Sequence, residues 1–392
     1  MNDRFEQSRI HLIQAATASL AAGFGGAGSV PPEIARAVAL GTGDWSEVER
    51  ALQGRSWPHG HPIEMVRFDA DQIGDYVFES VLPPVIAGAS SLLHDLNAGI
   101  DKDFRSQVVF SGGGEGLLIV SAGEGKGLCG EIERRFAQAT AGALSVTTAW
   151  IPASPLDFLT DSRSEVEAKD GARWVSGTQA ILARLHDAIR RKKDERRDGA
   201  PPIDGNATRC LSCRDREGSR DVRSLRPDAR GFLCEPCETR WREGKDRIYG
   251  ANFDQMVGAF AAAVGEAGVE GSKARDLGFL YADGNGMGAL FGRLESLTEL
   301  RFLSGAVRRV FVGVEANVRN LVEKAVRFAP DDPLPWVSLL AGGDEGVWIL
   351  PAALAFIMGL PMASEAKAQD VGGIIDAALA LTFGIIDVAG SS

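Results

Sequence analysis

The sequence predicts an α+β chain in which a β-α-β-β-α-β unit occurs twice, with a helical, cysteine-bearing segment between the copies. Three observations carry this. An apolar strand ending in an aspartate occurs at PIEMVRFDADQIG (62–74) and again at LGFLYADGNGMG (277–288). Each is followed, after a helical stretch, by a glycine-rich hairpin between apolar runs, SQVVFSGGGEGLLIVSA (106–122) and LLAGGDEGVWIL (339–350). Four of the five cysteines form the pair Cys210-x2-Cys213 and Cys234-x2-Cys237 between the copies. Duplication redefines a fold, and this element order is the split βαβ, ferredoxin-like one.

Residues 1–62 read as helical at both ends around the Gly/Ala-rich break AAGFGGAGSVPP, with His59 and His61 as connector residues. The first copy, 63–151, opens with a strand ending at Asp69 and Asp71. An apolar-periodic helix follows in YVFESVLPPVIAGASSLLHDL, which Pro83-Pro84 must break or restart. Then come the hairpin with tip Gly112-Gly113-Gly114-Glu115-Gly116, an amphipathic helix in EIERRFAQATAGA and a β-rich strand in LSVTTAWIP. Residues 152–272 form a helical linker. Its helix ARWVSGTQAILARLHDAIRRKKDERRDG carries Arg190–Lys193, read as a solvated helix end with a nucleic-acid contact as the alternative. The second copy, 273–392, repeats the order: strand 277–282, helices to about 327, hairpin 336–350, a helix around 351–368 and a last strand in ALALTFGIIDV. Asp69 matches Asp283, and SGGGEG matches AGGDEG.

Composition is that of a soluble globular protein, with 45% apolar and 24% charged residues. No apolar run is long enough to span a membrane, and the N-terminus lacks a signal-peptide pattern, so a cytoplasmic location is expected. The net charge of −11 argues against a general nucleic-acid coat. Residues 173–249 nevertheless hold 19 Lys/Arg against 13 Asp/Glu, so any polyanion contact is expected there. The two CxxC pairs, separated by twenty residues, are spaced for a structural Zn²⁺ site at 210–237. A disulfide pair is the alternative, disfavoured in a reducing compartment. Cys129 stands alone.

Asp283, Asp344 and Glu345 at neighbouring strand ends offer a hard oxygen site for Mg²⁺ or Mn²⁺, and glycine-bared backbone beside them suits a triphosphate. A side chain at Gly342 or Gly343 would block a nucleotide or forbid the turn. The Gly284 carbonyl is a further candidate ligand. Asn285 and Met287 read equally as pocket-lining, turn or packing residues, and Lys324 and Lys367 as candidate phosphate contacts. Asp71 either ligates an ion or caps the following helix.

YADGNGMG and LLAGGDEG resemble the palm domain of GGDEF cyclases and of the large subunit of type III CRISPR effector complexes. FDADQIGDYVFESV…IAGAS and SGGGEGLLIV resemble that subunit's first palm, with a small-residue Gly-Ala-Ser turn after an aromatic-rich helix. The order palm, CxxC…CxxC segment, palm is that of the CRISPR subunit and spans 63–390. The sequence departs from it in three places. No nuclease-type His-Asp motif stands in 1–62, the usual C-terminal helical domain has no counterpart, and the second hairpin reads Gly-Gly-Asp-Glu rather than ending in two aspartates.

The resemblance implies a catalytic second palm, with metal ligands Asp283, Asp344 and Glu345 and nucleotide contacts at Gly284, Asn285, Gly342 and Gly343. The first palm would hold the second nucleotide near Asp69, Ser90, Gly113, Gly114 and Glu115, without a full metal site. The implied product class is a cyclic or linear oligoadenylate messenger made from ATP in antiviral defence. The residues alone imply only metal-dependent nucleotidyl transfer. Two alternatives stand beside it: a cyclic dinucleotide synthase using GTP or mixed nucleotides, and a non-catalytic subunit docking RNA or protein. RNA, CRISPR-like subunits and a second copy of the chain are the candidate partners, and no membrane is.

Overall fold

The computed structural model describes residues 63–80, 82–154, 157–158, 164–168, 171–175, 177–195, 207–225, 230–249, 277–284, 287–292, 294, 296–308, 337–342 and 345–351. Strand β1 (Ile63–Ala70) leads through helices α1 (Ile73–Phe78) and α2 (Pro83–Asp103) to the hairpin β2 (Val108–Gly112) and β3 (Glu115–Ser121). Helix α3 (Gly125–Ala139) and strand β4 (Val146–Ala153) complete this first unit. The sheet order is β2-β3-β1-β4, with β1 antiparallel to both β3 and β4. The helical break falls where proline demands it: Pro83 opens α2, where its missing N–H costs nothing.

Strand alternation sorts the apolar residues onto two faces. Val66, Phe68 and Ala70 of β1 and Leu118 and Val120 of β3 pack beneath α2 and α3, against Leu93, Ile100, Ile132 and Phe136. The Phe68 and Phe136 rings lie 5.9 Å apart. Ile63 and Met65, with Leu117 and Ile119, face the opposite way. They are covered by Ile181 and Leu185 of α4 (Gly177–Glu195) and by Leu297 and Leu300 of the helix at 297–308. Cys129 lies on the buried face of α3 itself.

Two expectations are corrected. Gly88-Ala89-Ser90 is not a turn but the buried interior of α2, where small residues admit a neighbouring helix. The segment after β4 is not purely helical either. It holds the antiparallel strands β5 (Ser164–Ala168) and β6 (Gly171–Val175), with Ala168 opposed to Gly171.

The cysteine module contributes the two-residue strands β7 (Arg220–Asp221) and β8 (Phe232–Leu233) and helix α5 (Glu235–Tyr249). Helix α5 crosses α2 at glycines. A methyl on Gly88 would sit 1.7 Å from the Arg240 carbonyl oxygen, and one on Gly244 1.9 Å from that of Pro84.

A second sheet, in the order β10-β11-β9, is built from β9 (Leu277–Asp283), β10 (Val337–Gly342) and β11 (Glu345–Pro351), with the short helix α6 (Met287–Phe291) after β9. Val337, Leu339, Val347 and Ile349 pack on Ala87 of α2, so that helix serves both sheets. Residues 1–62, the helices expected over 309–327 and 352–368, Lys324, Lys367 and the final strand lie outside the described residues. Among the described residues, no helix is long and apolar enough to cross a membrane.

Candidate active site

The second sheet brings the expected strand ends together. Asp283, the last residue of β9, is directly opposed to Glu345, the first of β11, and Glu345 is opposed to Gly342 at the end of β10. Directly opposed positions have Cα atoms about 4.5–5.5 Å apart, within reach of one shared ion for two carboxyl-bearing residues. Asn285, Gly343 and Asp344 lie outside the described residues.

The first sheet repeats this register: Asp69 is opposed to Glu115, and Glu115 to Gly112. The copies even share an irregularity. The pairing slips between Val108 and Phe110 in one hairpin and between Ser338 and Leu340 in the other, the same distance from the tip. Such bulges bend a strand at a chosen place and are kept features rather than accidents. Gly113 and Gly114 have φ of 60° and 81°, which gives the two left-handed residues of a type I′ hairpin.

The carboxylates of the first sheet are already partnered. Lys193, near the end of α4, places its Nζ 2.8 Å from Asp69 Oδ2 and 2.9 Å from Asp71 Oδ1. Burial opposes the charge on that ammonium, but the hydrogen bonds to the two aspartates outweigh it and hold its pKa above the ordinary lysine value. Asp71 also accepts hydrogen bonds from Ser145 Oγ at 2.8 Å and Thr147 Oγ1 at 3.0 Å, so it does not cap α1. Arg67 Nη2 donates to Glu115 Oε2 at 3.2 Å. Sequence reading missed Lys193 because the basic run it belongs to looks like any solvated helix end. Ser90 is buried inside α2, away from any turn.

On β9, Phe279 and Tyr281 are 68% and 56% exposed, four and two positions before Asp283. Their strand alternation with Asp283 is the sequence signal that could have singled them out. A cleft of about 480 Å³ opens beside Asp71, between α1 and the first cysteine knuckle. Its lining of Asp71, Asp75, Glu79 and Asp215 against one Arg216 disfavours a triphosphate.

Cys210, Cys213, Cys234 and Cys237 are all buried and unbridged, and their sulfurs lie within 4.8 Å of one another. The Cys213 and Cys234 sulfurs are 3.8 Å apart, matching the edge of about 3.8 Å that a tetrahedron of 2.3 Å Zn–S bonds requires. The four thiols therefore fit a structural zinc ion. The module is clamped onto the first unit by Arg240, which is fully buried. Its guanidinium donates to the Tyr76 carbonyl and to Glu79, each at 2.6 Å, and to Cys237 Sγ at 3.1 Å. It also stacks over the Tyr76 ring, 4.9 Å from its centroid. Arg216 binds the other Glu79 oxygen at 2.7 Å, and Ser212 Oγ meets Ser80 Oγ at 2.6 Å.

This architecture is similar to that of a subunit class from type III CRISPR complexes. A chain of the Csm1–Csm4 cassette, solved in complex with cA3, superposes with a TM-score of 0.50 at 14% identity, covering 90% of this chain and 51% of its own. A chain of the Csm1–Csm4 subcomplex in the type III-A CRISPR–Csm interference complex gives a TM-score of 0.50 at 14% identity, covering 86% and 51%. The likeness is one of fold, and it fits a Csm1-like relative, in agreement with the resemblance carried by the palm motifs. The chain spans about half the length of the chains it matches. No family model matches the sequence, and no curated protein does.

Proposed function

We propose that this chain is a palm-type nucleotidyltransferase that joins ATP into a cyclic or linear oligoadenylate, working in a CRISPR-type defence system. The two sheets are then paired ferredoxin-like palms, 63–151 and 273–392, held by the 152–272 segment with its four-cysteine zinc site. The observation that carries the reading is the register of Asp283 against Glu345 beside a Gly-Gly-Asp hairpin tip, repeated in the first copy without the tip aspartate. The matched cassette's complex with cA3 supports the product class.

Asp283, Asp344 and Glu345 would hold Mg²⁺ or Mn²⁺. When bound, the ion supplies charge neutralisation on the triphosphate and a lowered pKa for the attacking ribose hydroxyl. Gly342 and Gly343 leave the backbone bare for the phosphates, with the Gly284 carbonyl and Asn285 beside them. The first palm presents the second nucleotide near Gly113 and Gly114, where the hairpin tip carries Glu115 but no aspartate beside it. Its charge is balanced by protein cations rather than by metal.

Incubation of the full chain with Mg²⁺ or Mn²⁺ and each NTP, alone and with type III target RNA and partner subunits, tests the reading by chromatography. ATP is expected to give oligoadenylate, and Asp344→Ala/Glu345→Ala to give none. Absence of pyrophosphate release with every NTP under all these conditions would leave the docking-subunit reading instead, and a guanine-containing product would make it a cyclic dinucleotide synthase.

A further inference from the structure

The middle segment reaches into the first palm at one point, and the chemistry there is specific. The Lys193 ammonium sits between Asp69 and Asp71, 2.8 and 2.9 Å from one oxygen of each. Its place is built. Ile181, Leu185 and Ile189 bury one face of α4, and neighbouring Lys192 donates to the Thr148 carbonyl at 2.7 Å. The helix end is thus tied to β4, and Lys193 can reach the strand end of β1. Asp71 is held from its other side by Ser145 and Thr147.

We infer that Lys193 is a resident cation that occupies the divalent-ion position of the first palm and keeps metal out of it. An ammonium fixed by its own helix is at high effective concentration, and a free Mg²⁺ must displace it and shed water to enter. In the matching β9 stretch, Tyr281 stands where Arg67 does and Asn285 where Asp71 does, so the second copy repeats neither the arginine nor the second aspartate. Lys193 is therefore a positioning residue. It leaves the pair with a single metal-binding palm, although the intervening segment belongs to neither copy. The inference about the first palm stands on its own ion-pair geometry; the single-metal count rests on the proposed function.

The test counts Mn²⁺ ions bound by the full chain in its zinc-loaded form, read from the free-ion EPR signal. Lys193→Met is expected to bind one ion more than the native protein. Lys193→Arg, which restores the cation, is expected to match the native count, and Lys193→Met/Asp69→Asn to lose the extra ion. Equal counts for native protein and Lys193→Met, with native-like circular dichroism, overturn the inference. So does an extra ion that survives Asp69→Asn. If the second palm binds no metal, the native count is zero and Lys193→Met still gains one, so failure of the proposed function is distinguishable. Should Lys193→Met not fold, amine acylation of the native chain decides. Lys193 is expected to react several-fold more slowly than in Asp69→Asn/Asp71→Asn, and equal rates would refute its occupancy.

Discussion

Replacing Arg240 with methionine removes the clamp between the cysteine module and the first unit while keeping most of the apolar volume. The side chain is fully buried, so nothing in solvent replaces its donors. Breaking a buried ion pair by deleting one partner costs about 3–5 kcal/mol. Glu79 keeps Arg216 at 2.7 Å, which places the expected loss near the lower end, about 3 kcal/mol. That is roughly two decades in the folding equilibrium of this unit. Urea unfolding followed by tryptophan fluorescence reads it directly, since Trp241 is buried beside the cysteines. Loss of the Nη2 contact to Cys237 Sγ is also expected to speed zinc release to a colorimetric chelator. Arg242, on the same helix and 60% exposed in its pair with Glu238, is the control; Arg242→Met is expected to stay within about 0.5 kcal/mol. If Arg240→Met unfolds within about 1 kcal/mol of the native protein and releases zinc at the native rate, the clamp is unimportant. Docking would then rest on the apolar packing around Val85, Leu233 and Trp241 and on the Arg216–Glu79 and Ser212–Ser80 contacts.

Two more substitutions and one titration probe the same joint. Gly88→Ala is expected to lower stability by about 2 kcal/mol or more, because its methyl would stand 1.7 Å from a backbone oxygen of α5. Gly99→Ala on the same helix, with nothing within 4 Å, is expected to raise it by about 0.5–1 kcal/mol; urea midpoints that move together would contradict the crossing. Burial pushes the Tyr76 phenol up to about 12, a change only partly offset by Arg240. With the folded value above the unfolded one, the stabilisation is complete below about pH 10 and is lost as pH climbs toward 12, amounting to about 2–3 kcal/mol. Tyrosinate absorbance is expected to show one of the three tyrosines ionising late, together with alkaline unfolding. All three ionising near the ordinary value in a folded protein would refute it.

What was legible in the sequence was local. Alternating apolar residues in β1 and β3, the paired glycines at the hairpin tip and Pro83-Pro84 each dictate their structure within a few residues, and each matches the strands and helices found. The CxxC spacing likewise brought four sulfurs together. What escaped was made by packing. Gly88-Ala89-Ser90 is composed like a turn, yet α2 runs through it because α5 crosses there and only small residues allow the approach. Lys193 looked solvated because its partners, Asp69 and Asp71, are distant in the chain and meet it only when α4 lies across the sheet. In the same way, nothing local in Arg240 marks it for full burial.

The duplicated hairpins argue that the two sheets differ in charge, not in backbone. A shared bulge between Val108 and Phe110 and between Ser338 and Leu340 means that both strands bend at the same step before the hairpin. The differences are side chains at matched positions. The first copy has Gly114 where the second has Asp344, and Arg67 where the second has Tyr281. It also receives Lys193 from outside the repeat. Two cations therefore meet the three carboxylates of the first strand end, leaving a residual charge too small to repay the dehydration of a divalent ion. The second copy carries three carboxyl-bearing residues with no arginine at the matched strand position, so under the proposed function an ion with a triphosphate attached would complete the neutralisation. On this reasoning the asymmetry of the pair is electrostatic in origin. Transplanting only its arginine, by Tyr281→Arg, is expected to weaken Mn²⁺ binding at the second sheet without abolishing it or disturbing its register, since the second cation, Lys193, has no counterpart there.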